Sequence, residues 1–312
     1  MKKYGLGIDM GGTHTAVGLT DDLRILDRIE FATKIGEGIP NYVDRLKEYT
    51  EELLSRNGLG ISDIGSAGMG VPGNVNLETG MVEYANNLGF NNVPFRNMVS
   101  NALGIPVNLD NDANLAAMGE YLLGKSSRSS FILVTLGTGV GCGIILNGKI
   151  YRGINFAEGE VGHMTIKYDG ITCNCGRKGC FEAYASAKAL VKMACDAMQS
   201  HPECALWKYS TINGKAVFDA AESGDEIIKN VISEYTTLLS EGFLNVINLL
   251  QPEEIAIGGG ISARADLFLP EVIHKVRAKV YSRNSAKNTV IRAAEFGNDA
   301  GIVGAACGDR LH

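Results

Sequence analysis

The chain has 312 residues, 45% hydrophobic and 21% charged, with a net charge of −6 at neutral pH. Its length exceeds what one average core needs and predicts two domains, and its composition is that of an ordinary globular protein. The acidic balance gives no footprint for nucleic acid or an anionic membrane, and the apolar stretches are too short to span a bilayer. Met1-Lys2-Lys3-Tyr4 runs straight into a strand-like segment, with neither an apolar leader nor a helix-turn-helix module ahead of it. Of seven cysteines, Cys142, Cys195, Cys204 and Cys307 are scattered, which fits a reducing compartment and a cytoplasmic α/β protein.

In chain order, residues 4–9 predict a buried strand, 10–13 a tight turn, and 14–20 and 24–33 two more strands of a meander. Residues 40–56 have helical period, with Tyr42, Val43, Leu46, Tyr49, Leu53 and Leu54 on one side and Gly58 as a stop. Strands are expected over 64–71 and 105–109, a helix over 112–123, and a central strand over 131–136. The opening pattern then returns. A glycine turn at 136–141 precedes a strand over 142–146, the hairpin signal Asn147-Gly148, and a returning strand over 149–152. Two copies of one unit, each leading one half of the chain, imply two similar lobes. Beyond them the sequence predicts a long core helix over 226–250, a strand over 254–257, a helix over 266–281, a strand over 289–294 and a small-residue helix over 301–310. Strands alternating with helices argue for mostly parallel sheets.

The densest cluster of chemistry is Cys173-Asn174-Cys175-Gly176-Arg177-Lys178-Gly179-Cys180, with His163 ten residues earlier. Three thiolates and an imidazole complete a tetrahedral zinc site with no position left for a catalytic water, so the metal is expected to be structural. Glu160 and Glu182 flank the ligands and are left to face a substrate. Three strand ends carry glycine turns: Gly11-Gly12-Thr13, Gly137-Thr138-Gly139 and Gly258-Gly259-Gly260. Such turns let backbone N–H groups approach phosphate, and Asp9 beside the first could hold a hydrated Mg²⁺. Residues 119–126 formally satisfy the P-loop pattern, but they fall at the end of a predicted helix, where the N–H groups are already bonded. No dinucleotide-binding pattern opens a helix in the right place. Asp110-Asn111-Asp112-Ala113-Asn114 lies where a strand gives way to a helix. There Asp112 could accept a proton from an attacking hydroxyl and Asn111 could position the same molecule, or the segment is a plain helix cap.

Together Asp9-Met10-Gly11-Gly12-Thr13, Asn111-Asp112-Ala113-Asn114, Glu160-Val161-Gly162-His163 and the Cys173–Glu182 knuckle resemble the ROK (repressor, open reading frame, kinase) family of sugar kinases. The resemblance covers essentially the whole chain. It implies a duplicated, two-lobed actin-like ATPase fold of RNase H-like domains, with the N-terminal lobe over 1–120 and the C-terminal lobe over 121–312, the last helix packing back on the first lobe. ATP, Mg²⁺ and a hexose are implied in the cleft between lobes. Position by position, Asp112 becomes the base that activates the sugar 6-hydroxyl. Asn111, Glu160, His163 and Glu182 contact other hydroxyls, His163 while also binding zinc, and Gly73 lies on a sugar-side loop. Asp9 and the three glycine turns serve Mg-ATP. Two positions depart from the family pattern. His14 stands where many of its glucokinases carry lysine, as in its allose kinases. Ala85-Asn86-Asn87-Leu88 replaces Ala-Pro-Asn-Leu, keeping Asn87 as the sugar-contacting asparagine. The expected activity is ATP-dependent phosphorylation of glucose, then allose, mannose or N-acetylmannosamine, by a cytoplasmic homodimer. A sugar-sensing regulator is the alternative, weakened by the eight residues ahead of Asp9. A zinc hydrolase would need an open metal position.

Overall fold

The computed structural model of the protein describes residues 4–307. Strands β1 (Tyr4–Met10), β2 (His14–Asp21) and β3 (Arg24–Ala32) form an antiparallel meander. Helix α1 (Ile39–Arg56) follows, with Pro40 in its first turn, where no N–H is needed, and Tyr42, Val43, Leu46, Leu53 and Leu54 buried along one stripe. Strand β4 (Ile64–Val71) then returns parallel to β1. A small antiparallel sheet of β5 (Asn74–Asn76), β6 (Met81–Ala85) and β7 (Phe90–Val93) interrupts the pattern. Helix α2 (Phe95–Leu103), β8 (Asn108–Asn111) and α3 (Asp112–Leu123) restore it. The strand expected over 105–109 sits three residues later. Pro106 has no N–H to give a ladder, and pairing with β4 runs only from Gly68↔Asn108 to Val71↔Asn111.

The second half opens with β9 (Ser130–Leu136), β10 (Val140–Leu146) and β11 (Lys149–Ile150). The last two are joined by Asn147 and Gly148, both at positive φ (51° and 75°), as a two-residue hairpin turn requires. Helices α4 (Glu182–Ala185), α5 (Ala187–Ser200), α6 (Gly214–Glu222) and the long α7 (Glu226–Leu250) precede β12 (Glu254–Gly258), α8 (Leu269–Lys279), β13 (Val290–Ala293) and α9 (Asn298–Ala306). A helix was expected from residue 266. A short 3₁₀ turn over Ser262–Leu267 stands there instead, because Pro270 can occupy only the first turn of α8. Residues 308–310 of the helix expected over 301–310 lie outside the described residues.

The two main sheets have the same strand order. One runs β3-β2-β1-β4-β8 and the other β11-β10-β9-β12-β13, so each is 3-2-1-4-5 in its own half. The paired glycine turns imply two similar lobes, and this duplicated order is the actin-like ATPase topology that the family resemblance implies. The chain forms two compact units that are not contiguous in sequence. The first holds the described residues through Ser129, Gly143–Glu158 and those from Glu295 onward. The second holds Ser130–Cys142 and Gly159–Ala294.

In the first unit an apolar core runs from Leu6, Ile8 and Met10 through Tyr42, Met69 and Val71 to Phe90 and Phe95. Helix α9 packs there against α3, β1 and β4. A β-carbon on Gly119 would stand 1.8 Å from the Ala300 carbonyl oxygen, and one on Gly304 1.9 Å from that of Leu115, so α3 and α9 meet backbone to backbone. The buried Glu120 carboxylate accepts the Glu295 and Phe296 N–H groups at 3.0 and 3.2 Å, tying the entry of α9 to α3. In the second unit Phe181, Phe218, Tyr235, Phe243 and Phe268 are fully buried. Among the described residues no helix is long and apolar enough to cross a membrane.

Candidate active site residues in each unit

Parallel register in the first sheet aligns Asp9 with Gly70 and Gly70 with Asp110. The ends of β1, β4 and β8 therefore open along one carboxyl edge, where α/β sheets bind their ligands. Asn111 is the N-cap of α3. Its Oδ1 accepts the N–H groups of Ala113 (2.9 Å) and Asn114 (3.3 Å), while its Nδ2 donates to the Gly73 carbonyl at 3.1 Å. Gly73 has φ +102°, and a β-carbon there would stand 2.2 Å from the Tyr84 carbonyl oxygen, so that loop admits only glycine. Asn111 thus closes the helix, and Asp112 occupies its first turn, half-buried, with Oδ1 accepting the Ala113 N–H at 2.9 Å.

Asp9 is half-buried at the end of β1. Desolvation, reinforced by the Asp112 carboxylate, pushes its pKa from the ordinary 3.8 up to about 7. A β-carbon at Gly301 of α9 would lie 2.6 Å from Asp9 Oδ2, so the missing side chain there leaves room for that carboxylate. In the following turn the Gly11 N–H donates to His14 O at 2.8 Å, and His14 Nδ1 lies 3.1 Å from Thr13 Oγ1. Gly12 and Thr13 are exposed. Asn87 is exposed on a 3₁₀ turn over Asn86–Leu88.

In the second unit Gly258 pairs with Thr135, which sets the turns after β9 and β12 side by side at one edge. Gly259 has φ +89°, and a β-carbon there would stand 2.3 Å from Leu136 O. Gly137 and Gly260 have open space where a β-carbon would stand, as a phosphate cradle needs. Glu182 lies against the first of these turns: its Oε2 accepts the Val140 N–H at 3.0 Å and sits where a side chain on Gly139 would be. The position of Glu182 is set by its neighbour. The Phe181 ring fills the space left by Gly242 on α7, where a β-carbon would come within 2.2 Å of it.

The knuckle is built as its residues predict. The Cys173 N–H donates to Arg177 O at 2.8 Å and the Gly176 N–H to Cys173 O at 2.9 Å. Gly176 and Gly179 take positive φ. Arg177 reaches back to His163 O and Thr165 Oγ1. The ligand atoms of His163, Cys173, Cys175 and Cys180 all lie within 4.8 Å of one another. Cys175 Sγ and Cys180 Sγ are 3.6 Å apart. That is close to the ~3.8 Å edge of a tetrahedron with Zn–S near 2.3 Å. Burial and the adjacent thiols push the Cys180 pKa to about 12, a crowding that a divalent cation would reverse. The donor set fits zinc. Glu160 Oε2 lies 3.7 Å from His163 Nε2.

The structure thus gathers Asp9, Gly73, Asn111 and Asp112 at one sheet edge. In the second unit it gathers the glycine turns with Glu182, and His163 and Glu160 with the knuckle. Sequence reasoning passed over the charges behind Asn111. Asp110, 5% exposed, accepts Arg152 Nε at 3.1 Å and Nη2 at 2.8 Å on Oδ2. Asn114 bridges Asp110 to Glu158. Arg152 and Glu158 sit in a loop without a motif; the signal available was that an aspartate at a strand end, as Asp110 is, needs a counter-charge if it is buried.

A sequence model described as the ROK family matches residues 5–307. A glucokinase of Halalkalibacterium halodurans is 35% identical over 309 residues, covering 97% of this chain and 93% of that one. A putative xylose repressor of Caldicellulosiruptor is 33% identical, covering 90% of this chain and 71% of its own length. Among solved structures, a ROK family glucokinase from Streptomyces griseus in complex with glucose and AMPPNP superposes with a TM-score of 0.86 at 32% identity, covering 97% of this chain and 98% of that one.

Proposed function

Because this chain belongs to the ROK family and is an ATP-dependent hexose kinase, we propose that it phosphorylates the 6-hydroxyl of glucose or a close relative (allose, mannose or N-acetylmannosamine), with Asp112 as general base. The observation that carries the reading is the corner at the end of β8. There Asn111 caps α3, and Asp112 stands in the first turn at the carboxyl edge of the sheet. Asp112 takes the proton from the attacking hydroxyl, and proton removal is worth about 10²–10⁴ in rate. Asn111, with one further amide N–H to offer, and Gly73 and Asn87 in the same unit, hold neighbouring hydroxyls. Glu160, His163 and Glu182 contact other hydroxyls, and zinc on His163, Cys173, Cys175 and Cys180 would fix the orientation of that imidazole.

ATP supplies the phosphoryl group, and Mg²⁺ supplies the positive charge that transfer requires. Asp9 would hold the hydrated Mg²⁺. Its raised pKa fits such a site, since a nearby divalent cation reverses the penalty that keeps the proton on. The turns of Gly11, Gly12 and Thr13, of Gly137, Thr138 and Gly139, and of Gly258, Gly259 and Gly260 would lie around the phosphates, the Gly11 N–H being spent on His14 O. The Val140 N–H is spent on Glu182 and the Gly137 N–H on Gly139 O at 3.0 Å, which leaves Thr138 and Gly139 as the donors of that turn. The same resemblance proposes a homodimer, which light scattering reads directly. The test of substrate is ATP-dependent ADP release over glucose, allose, mannose, fructose and N-acetylmannosamine, with the phosphorylated carbon located by NMR. One strongly preferred aldohexose phosphorylated at carbon 6 supports the reading; phosphate on another carbon overturns it.

A further inference from the structure

Asn114, 2% exposed on α3, spends both amide hydrogens on carboxyl groups: Nδ2 donates to Asp110 Oδ1 at 3.2 Å and to Glu158 Oε1 at 2.7 Å. The other oxygen of each side chain in that second bond, Asn114 Oδ1 and Glu158 Oε2, is buried and has no hydrogen-bond partner. With Glu158 ionised both atoms are acceptors, and neither can serve the other. Buried polar atoms without a partner are rare in native proteins, and each calls for a physical reason. Here one proton resolves both. A carboxylic acid and a primary amide are complementary at two points, the amide N–H giving to the acid's carbonyl oxygen and the acid O–H giving to the amide oxygen.

We propose that Glu158 is held as the neutral acid, its Oε2–H donating to Asn114 Oδ1, and that this acid–amide pair positions the strand-to-helix corner bearing Asn111 and Asp112. Burial and the neighbouring Asp110 favour the proton on Glu158. Asp110 approaches from β8, and Arg152, from the segment after β11, places Nε and Nη2 on Asp110 Oδ2, so the guanidinium is engaged by the other carboxylate. Burial raises the Glu158 pKa most; the Asn114 bond and a hydrogen bond from its own backbone offset part of that, Asp110 adds to it, and Arg152 offsets a little more, the net direction being upward. The pair reaches the proposed base through a short chain of bonds. Asn114 holds Asp110 Oδ1, which also accepts the Asn111 N–H at 2.7 Å, and Asn111 caps the helix that Asp112 begins. Glu158 is thus a positioning residue. Its ionisation, as pH rises above the ordinary carboxyl range, removes one bond of the pair and sets a second anion beside Asp110.

The protonation does not depend on what Asp112 does; its effect on turnover rests on Asp112 being the base. The experiment is a ¹³C NMR titration of the full chain labelled at glutamate Cδ, comparing wild type with Glu158→Gln from about pH 5 to about pH 9. The expected result is one carboxyl resonance, absent from Glu158→Gln, that stays protonated well above the usual glutamate range. Glutamine makes both bonds without a proton. It should therefore restore kcat to within about threefold of wild type and remove the alkaline fall that Glu158 contributes, while Glu158→Ala loses about tenfold in kcat. A Glu158 carboxyl that titrates in the ordinary range overturns the proposal, as does a Glu158→Gln variant as slow as Glu158→Ala. A silent Asp112→Asn variant would instead remove the base and leave the acid–amide pair standing.

Discussion

Replacing Asp9 with asparagine should stabilise the ligand-free protein while it destroys turnover. Folding lifts the Asp9 pKa from 3.8 to about 7, roughly three units, and each unit is worth about 1.36 kcal/mol. The ceiling is therefore about 4 kcal/mol. Partial exposure of the side chain screens this to about half, on the order of 2 kcal/mol. The sign follows from proton counting. Below pH 3.8 the carboxyl is protonated in both states and costs nothing. Between 3.8 and about 7 the unfolded chain ionises first, so stability falls as pH rises, and above about 7 the full penalty stands. Asparagine carries no such penalty. At about 2 °C per kcal/mol for a chain of this size, Asp9→Asn should melt several degrees above wild type at alkaline pH and level with it near pH 4. Thermal unfolding of both proteins across that range, without nucleotide or Mg²⁺, is the assay. Parallel curves, with no divergence between pH 4 and pH 7, would refute the electrostatic argument. Added Mg-ATP should raise the wild-type midpoint and leave the variant's where it was.

Elemental analysis of the wild type should find one equivalent of zinc, and Cys180→Ser or a strong chelator should abolish it. In either case affinity for the sugar falls, because His163 loses the partner that orients it. At Gly242, alanine adds about 1 kcal/mol of helix propensity but drives a methyl into the Phe181 ring, an overpacking cost of about 1–3 kcal/mol. The net result should be a lower melting temperature together with a raised sugar KM, since Phe181 carries Glu182; a stabilised variant with unchanged KM would show that the ring and the carboxylate are not coupled.

Much of the fold was legible because its signals are local. Asp112–Leu123 and Glu226–Leu250 have periodicity over many turns, and each is capped by the residue before it, Asn111 and Asp225. Each glycine turn marks a strand end, and their recurrence pointed to the duplicated sheet order. The small sheet of β5, β6 and β7 left no such mark. Its strands are three to five residues long, β5 and β7 are half asparagine or more, and their pairing is settled by burial of Val75, Val82 and Phe90 in a core the sequence does not display. In the proposed site, residues within a motif carry a sequence signal, and residues that act on the motif from a distance carry none. Glu158 lies 44 positions from the Asn114 it touches, and Arg152 lies 42 from Asp110. Only folding makes them neighbours.

The most direct test of the account is Asp112→Asn, with turnover and sugar binding measured on the same preparation. Asparagine keeps the shape of the side chain and removes its ability to take a proton. The account predicts a fall in kcat of about 10²–10⁴ with the sugar Kd held within a few-fold. A kcat at the wild-type level would contradict it and take Asp112 out of the reaction.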